Sequence, residues 1–250
     1  MKDQLLENSF EKMGARVKVS EASRSRFLRP NSTSSLRLDV RRDKKGEYFL
    51  LSKAAEDKTE LVVLDVQPDD RHLLLLTREG KKKARYLAGH DERHWFVAAI
   101  PEKTPVSTVR AAKNALKPAP VKEASGVVRQ GEWFFIPSPK EKIDEKFVLH
   151  DEPLTRGRGS KPHRCQDLVR AGGETVYVKG SQIVAEAAYA KLDAKLKGPG
   201  WQVMRRNPKV FVRGRIRHSD HKTVTLQGWH EVLMNTENQS IAMQHVAFLD

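Results

Sequence analysis

The stretch RIRHSDHKTVTLQGWH, residues 215–230, brings together His218, His221 and His230, with Asp220 between the first two. Imidazole and carboxylate groups at this spacing suit either proton transfer or metal ligation. If HSDH closes a tight hairpin with Ser219 and Asp220 at its tip, His218 and His221 face each other with Cβ atoms about 5 Å apart. Two-residue hairpin turns favour a glycine that Ser-Asp does not supply, which leaves a longer loop open as well. His163 and His230 could complete a cluster, with Asp220 orienting a ring or holding a cation and Cys165 offering a thiolate. No spacing in the chain matches paired C-x-x-C or H-E-x-x-H, so the sequence assigns no metal and no other cofactor. A second polar group, His90, Asp91, Glu92 and His94, precedes an apolar strand pattern at Trp95 and reads as a loop network.

The other chemistry on offer is anion recognition. Within 201–222 seven basic residues, Arg205, Arg206, Lys209, Arg213, Arg215, Arg217 and Lys222, stand against the single acid Asp220. Strand residues two apart share a face at roughly 6.6 Å spacing, so Arg213, Arg215 and Arg217 should form a row while Val212, Ile216 and His218 point to a core. Guanidiniums in file can fork onto phosphate oxygens, and Trp229 and Trp201 offer stacking faces for unpaired bases. The opposing reading is an exposed strand whose arginines deter edge-to-edge pairing and whose tryptophans are core. A second anion site could form at TRGRGSKP, 155–162. There Gly157 and Gly159 allow close backbone approach and Arg156, Arg158 and Lys161 supply charge. The Walker spacing is absent, and a plain flexible connection is the alternative.

Composition bounds these choices. A chain of 250 residues with formal charge +14 and pI near 9.9 calls for salt, an acidic partner or phosphate to balance it. Cys165 is the only cysteine, which excludes an intrachain disulfide and makes a reducing, cytoplasmic setting the default expectation. The run LLLL at 73–76 is far too short to span a bilayer, so no membrane partner is expected.

Positioning elements follow from periodicity. LRLDVRRDKKGEYFLL, 36–51, alternates apolar and charged residues around a DKKG turn, and ELVVLDV, RHLLLLT, ARYLA and HWFVAAI continue the pattern. The first half should thus be a mostly antiparallel sheet of about five strands, followed by a helix capped at Ser107 and stopped by Pro118. KPAPVKEAS, 117–125, has the composition of a semi-extended linker, and 20–35 reads as a polar, mobile loop. The second half should hold strands at KFVLH, TVYVKG, KVFVRGRIRH and KTVTLQG, a short helix at HRCQDLVRAGG, and a longer helix over 182–197.

The expected class is α+β, dominated by mostly antiparallel sheets with a few short helices, in two domains, 1–118 and 119–250. The leading functional expectation is a nucleic-acid-binding protein, RNA ahead of DNA because no recognition helix suits a major groove. The alternative is a histidine- or metal-dependent hydrolase or nuclease working through His218, His221, His163 and Asp220. A third reading is a basic subunit that docks on an acidic protein or a ribonucleoprotein.

Overall fold

The computed structural model describes residues 2–22, 36–54, 59–101, 104–155, 161–236 and 246–248. The protein is α+β, built mainly from antiparallel sheets with a few short helices. Its chain packs into two compact units. One comprises 1–122 with 235–240, the other 123–234 with 241–250.

In the first unit, helix α1 (Lys2–Lys12) precedes strands β1 (Val17–Ala22), β2 (Leu36–Asp43) and β3 (Gly46–Ala54), which form a sheet in the order β1-β3-β2. A four-stranded meander follows: β4 (Glu60–Gln67), β5 (His72–Glu79), β6 (Lys82–Asp91) and β7 (His94–Ile100). Among the described residues, the expected single sheet of about five strands is instead two sheets holding seven strands. The first contains a parallel pair, β1 with β3, that hairpin grammar does not reveal. The LLLL run explains itself on β5. Leu73 and Leu75 pack with Phe10, Phe49 and Leu51, while Leu74 points to the other face, against Leu87, Val109 and Ala112. A strand buried on both faces has no polar alternation to show.

Helix α2 (Val109–Ala115) is capped by Thr108, whose hydroxyl accepts the Ala111 N–H at 3.2 Å, one residue later than the sequence suggests. The Pro- and Ala-rich linker expected at 117–125 instead winds into a short helix, α3 (Ala119–Glu123), with Val121 buried. Proline at the first helical turn sacrifices no hydrogen bond, so Pro120 is compatible with that helix.

In the second unit, strands β8 (Val128–Gln130), β9 (Trp133–Pro137), β10 (Leu149–Leu154), β11 (His163–Ala171), β15 (Lys209–Arg217) and β16 (Val224–Met234) make an antiparallel sheet in the order β10-β11-β15-β16-β9-β8. Strands β12 (Glu174–Lys179), β13 (Gln182–Ala185), β14 (Gln202–Arg206) and β17 (Val246–Phe248) form a second sheet, ordered β13-β12-β14-β17. The six-stranded sheet buries Trp133, Phe135, Leu168, Val212, Ile216 and Leu226 on one face.

One expected helix is a strand and another is shortened. HRCQDLVRAGG is strand β11: His163 and Cys165 are buried while Arg164 and Gln166 are exposed, a period of two, and pairing on both sides overrides the helix-start signal of Pro162. Over 182–197 the helix shrinks to α4 (Glu186–Ala190). Ile183 and Val184 are taken into pairing with Val178 and Tyr177, and Leu196, at the end of the expected apolar stripe, is 58% exposed with nothing to bury it. The strand expected at KFVLH starts later. Glu145–Phe147 is a 3-10 turn and β10 begins at Leu149.

Candidate functional site

Strand β11 begins at His163, and its antiparallel register with β15, Arg164 opposite Arg217, brings His163 alongside His218, the first residue beyond β15. The chain then turns through Ser219 and Asp220 and delivers His221 before β16 begins. The loop is longer than a two-residue hairpin, in keeping with the missing glycine.

The three rings stack. Centroids of His163 and His218 lie 4.1 Å apart at 22°, His218 and His221 4.7 Å apart at 26°, and His163 and His221 5.7 Å apart. One donor atom from each of the three lies within 4.8 Å of the others. His163 is almost wholly buried at 1% exposure, and neither of its ring nitrogens has a hydrogen-bond partner. Trp133 stands edge-on to it at 6.4 Å.

Gln130, at the end of β8, fastens the histidine loop at both ends. Its Nε2 donates to Ile216 O at 3.3 Å and to Lys222 O at 2.6 Å. The adjacent Gly131 adopts φ +57°, and a Cβ there would stand 2.7 Å from Nε2 of His221 and 3.5 Å from Nε2 of His163. The missing side chain leaves both nitrogens room for a ligand. Asp220 acts differently from expectation. Its carboxylate is held by Lys161 at 2.8 Å through both oxygens, and it is its backbone N–H that donates to Nδ1 of His218, at 3.1 Å. That bond places the proton of a neutral His218 on Nε2.

Electrostatics favour the uncharged form of His163 and His218. Burial first, then the neighbouring His218 and His221, push the His163 pKa down to about 3, and burial with His221 lowers that of His218 too. Neutral imidazole is the form that ligates a metal. Among the described residues, the buried side-chain atoms without a hydrogen-bond partner are Gln130 Oε1, Trp133 Nε1, both ring nitrogens of His163 and Nδ1 of His221. Buried polar atoms are ordinarily paired, at a cost of about 1–3 kcal/mol each when they are not, so the three ring nitrogens of His163 and His221 mark a place for a ligand.

Two candidates stand apart from the trio. Cys165 is fully buried in the apolar core, its thiol pushed up to about 12 by that burial, so it offers no thiolate. His230 bonds Gly228 O through Nδ1 at 3.0 Å and does not join the cluster. In the first unit, His94 Nδ1 and the Trp95 N–H both bond the carboxylate of Glu47, at 2.7 and 3.0 Å, and the His90 ring packs edge-on to Trp95. These make a polar network around a strand turn.

The basic candidates are largely engaged. Arg213 is clamped by both oxygens of Glu145 at 2.8 Å and bonds Asp167 through Nε at 2.7 Å, while its guanidinium covers the Trp229 ring at 4.5 Å, closing the face that a base would use. Arg217 pairs with Asp151 at 2.6 Å, Arg206 with Glu174 at 2.5 Å and Lys209 with Glu231 at 3.2 Å. Arg205 donates to Gly173 O at 3.3 Å. Arg215 is exposed, and its guanidinium has no carboxylate partner among the described residues. Arg156 and Arg158 of the glycine loop lie outside the described residues. Sequence reasoning missed Gln130 and Gly131. Their only signal is the Gln-Gly turn between two short strands, which looks like any hairpin.

No protein-family model, curated protein or solved structure matches the chain.

Proposed function

We propose that the second unit is a metal-dependent hydrolase, with His163, His218 and His221 holding a divalent ion of the zinc type. The three unpartnered buried ring nitrogens of His163 and His221, in a trio whose donor atoms lie within 4.8 Å of one another, carry this reading. Three protein ligands are the number found where a metal keeps a fourth position for water, and such an ion lowers that water's pKa to about 7. With their donor atoms within 4.8 Å of one another, the three imidazoles would hold such an ion after a modest closing. The residues around the rings then have separate tasks. Gln130 holds the loop that carries His218 and His221, Gly131 leaves the approach open, and Lys161 ties Asp220 in place beneath His218. His218 would offer a ring nitrogen to the ion; its Nδ1 is the atom that accepts the Asp220 N–H. The substrate class that best suits a chain of charge +14 is a phosphate polymer, RNA or single-stranded DNA.

The test is metal analysis of the purified protein, followed by incubation with single-stranded RNA and DNA. One ion per chain and polymer cleavage, both lost on His218→Ala and His221→Ala, are the expected results. A protein that takes up no zinc, nickel or cobalt and leaves both polymers intact overturns the reading. Cleavage that persists in a chelator would transfer the chemistry to the imidazoles themselves, as acid and base.

Binding of nucleic acid without cleavage is the second reading. It is supported by the exposed Arg215 and the overall charge, and is weakened by the carboxylates that already occupy Arg213 and Arg217.

A further inference from the structure

The face of the six-stranded sheet that carries the arginine row holds a second arrangement, separate from the histidine trio. His150 on β10 and Asp167 on β11 are register partners, and Asp167 in turn pairs with Arg213 on β15. The Asp167 side chain is only 11% exposed. One of its oxygens takes Nδ1 of His150 at 2.8 Å and the other takes Nε of Arg213 at 2.7 Å. Burial opposes its charge, but those two bonds outweigh it and hold the carboxyl below its usual range. An ionised Asp167 fixes the Nδ1 proton of His150 and turns Nε2 outward from a ring that is 76% exposed.

That ring borders an open cavity of about 450 Å³ lined by His150, Asp151, Gln166, Asp167, Arg215 and Arg217. Its charges sort into pairs. Asp151 is met by Arg217, and Asp167 with Glu145 is met by Arg213, which leaves Arg215 as the lining cation without a carboxylate. Gln166 accepts the Arg215 N–H at 3.2 Å, and the positive φ of Gly214 (+76°) makes the local kink in β15. The backbone of Arg215 is thereby set, while its side chain stays available.

We propose that this cavity binds a phosphate group, with Arg215 forking onto two of its oxygens and the outward Nε2 of His150 beside them. Guanidinium matches phosphate in two parallel bonds, and the carboxylate-oriented ring of His150 adds a third polar contact. The charges around the site are Asp151, Asp167, Glu145, Arg213, Arg215 and Arg217. The site stands whether or not the trio holds a metal.

The probe is inorganic phosphate, titrated at constant ionic strength against chloride and followed through the ring signals of His150 by NMR. Expected are saturable shifts and a loss of about tenfold or more on Arg215→Gln. Arg215 is exposed, so that variant should keep the wild-type circular dichroism; His150→Gln gives an independent second arm. A dinucleotide with and without a terminal phosphate tells a monoester from a backbone diester, and binding of either supports the site. Absence of saturation at tens of millimolar phosphate, or equal affinity in Arg215→Gln, overturns it.

Discussion

His163 leaves both ring nitrogens without partners in the core of its unit, which is a cost to the fold unless a ligand recovers it. In the presence of a chelator, His163→Leu should therefore be as stable as the wild type or more stable by about 1–3 kcal/mol in urea unfolding. Zinc should raise the midpoint of the wild type and leave the variant unmoved. A wild type insensitive to zinc would argue against the trio as a metal centre. The same ring makes a pH prediction. Its folded pKa of about 3 lies below the unfolded value of about 6.5, so between them the unfolded chain binds the proton first. Stability present above about pH 6.5 is lost as pH falls toward 3, at up to about 1.4 kcal/mol per unit from this group. Denaturant series at several pH values should show that slope in the chelated wild type and a shallower one in His163→Leu. The residue types at the site were legible in the sequence: His163, His218 and His221 were all candidates. The roles of Gln130 and Gly131 were not, because they arise from a strand some 90 positions away in the chain folding against the histidine loop.

Elements set these residues by register, and the register depends on local kinks. Between Cys165 and Asp167 the pairing of β11 with β15 shifts by a residue, and Gly214 takes the left-handed conformation there. A Cβ at 214 would also come within 2.7 Å of Gln166. Gly214→Ala should cost the second unit about 1–2 kcal/mol by denaturant unfolding. It should also disturb phosphate binding through Arg215. A neutral effect would mean that the kink is soft. Strands with a solvated face, such as β2 and β3, were readable from alternation. The stretch at 163–171 was not, because a proline and a string of good helix formers imitate a helix start, and only partners on both sides decide for a strand. The apolar stripe over 182–197 misled for the converse reason: periodicity predicts a helix only if another surface comes to cover it.

At the scale of the molecule the charge of +14 is real, but its distribution is not that of an open arginine row. Arg213 and Arg217 bring their own carboxylates. If the protein binds single-stranded RNA, replacing Arg213, Arg215 and Arg217 together should reduce the salt slope of binding by about one neutralised phosphate rather than three. A fall of three would show that the ion pairs open in the complex, and no salt dependence at all would point to an uncharged or protein partner. Composition conveyed the excess but could not convey the pairing, since Glu145, Asp151 and Asp167 lie 46–68 positions from the arginines they meet. Among the described residues no helix is long and apolar enough to cross a membrane.

The chain leaves and re-enters each unit, and Thr236 shows what that entails. Well after the first unit's main segment ends at residue 122, Thr236 returns to bond the carbonyls of Leu116 and Ala115, at 3.1 and 2.9 Å. In the second unit the late strand β17 lies along β14. No single cut of the gene separates the two bodies cleanly. A fragment stopped at 122 leaves carbonyls at the end of α2 bare, and one spanning 123–234 strips a covering strand from β14 and offers a sticky border for self-association.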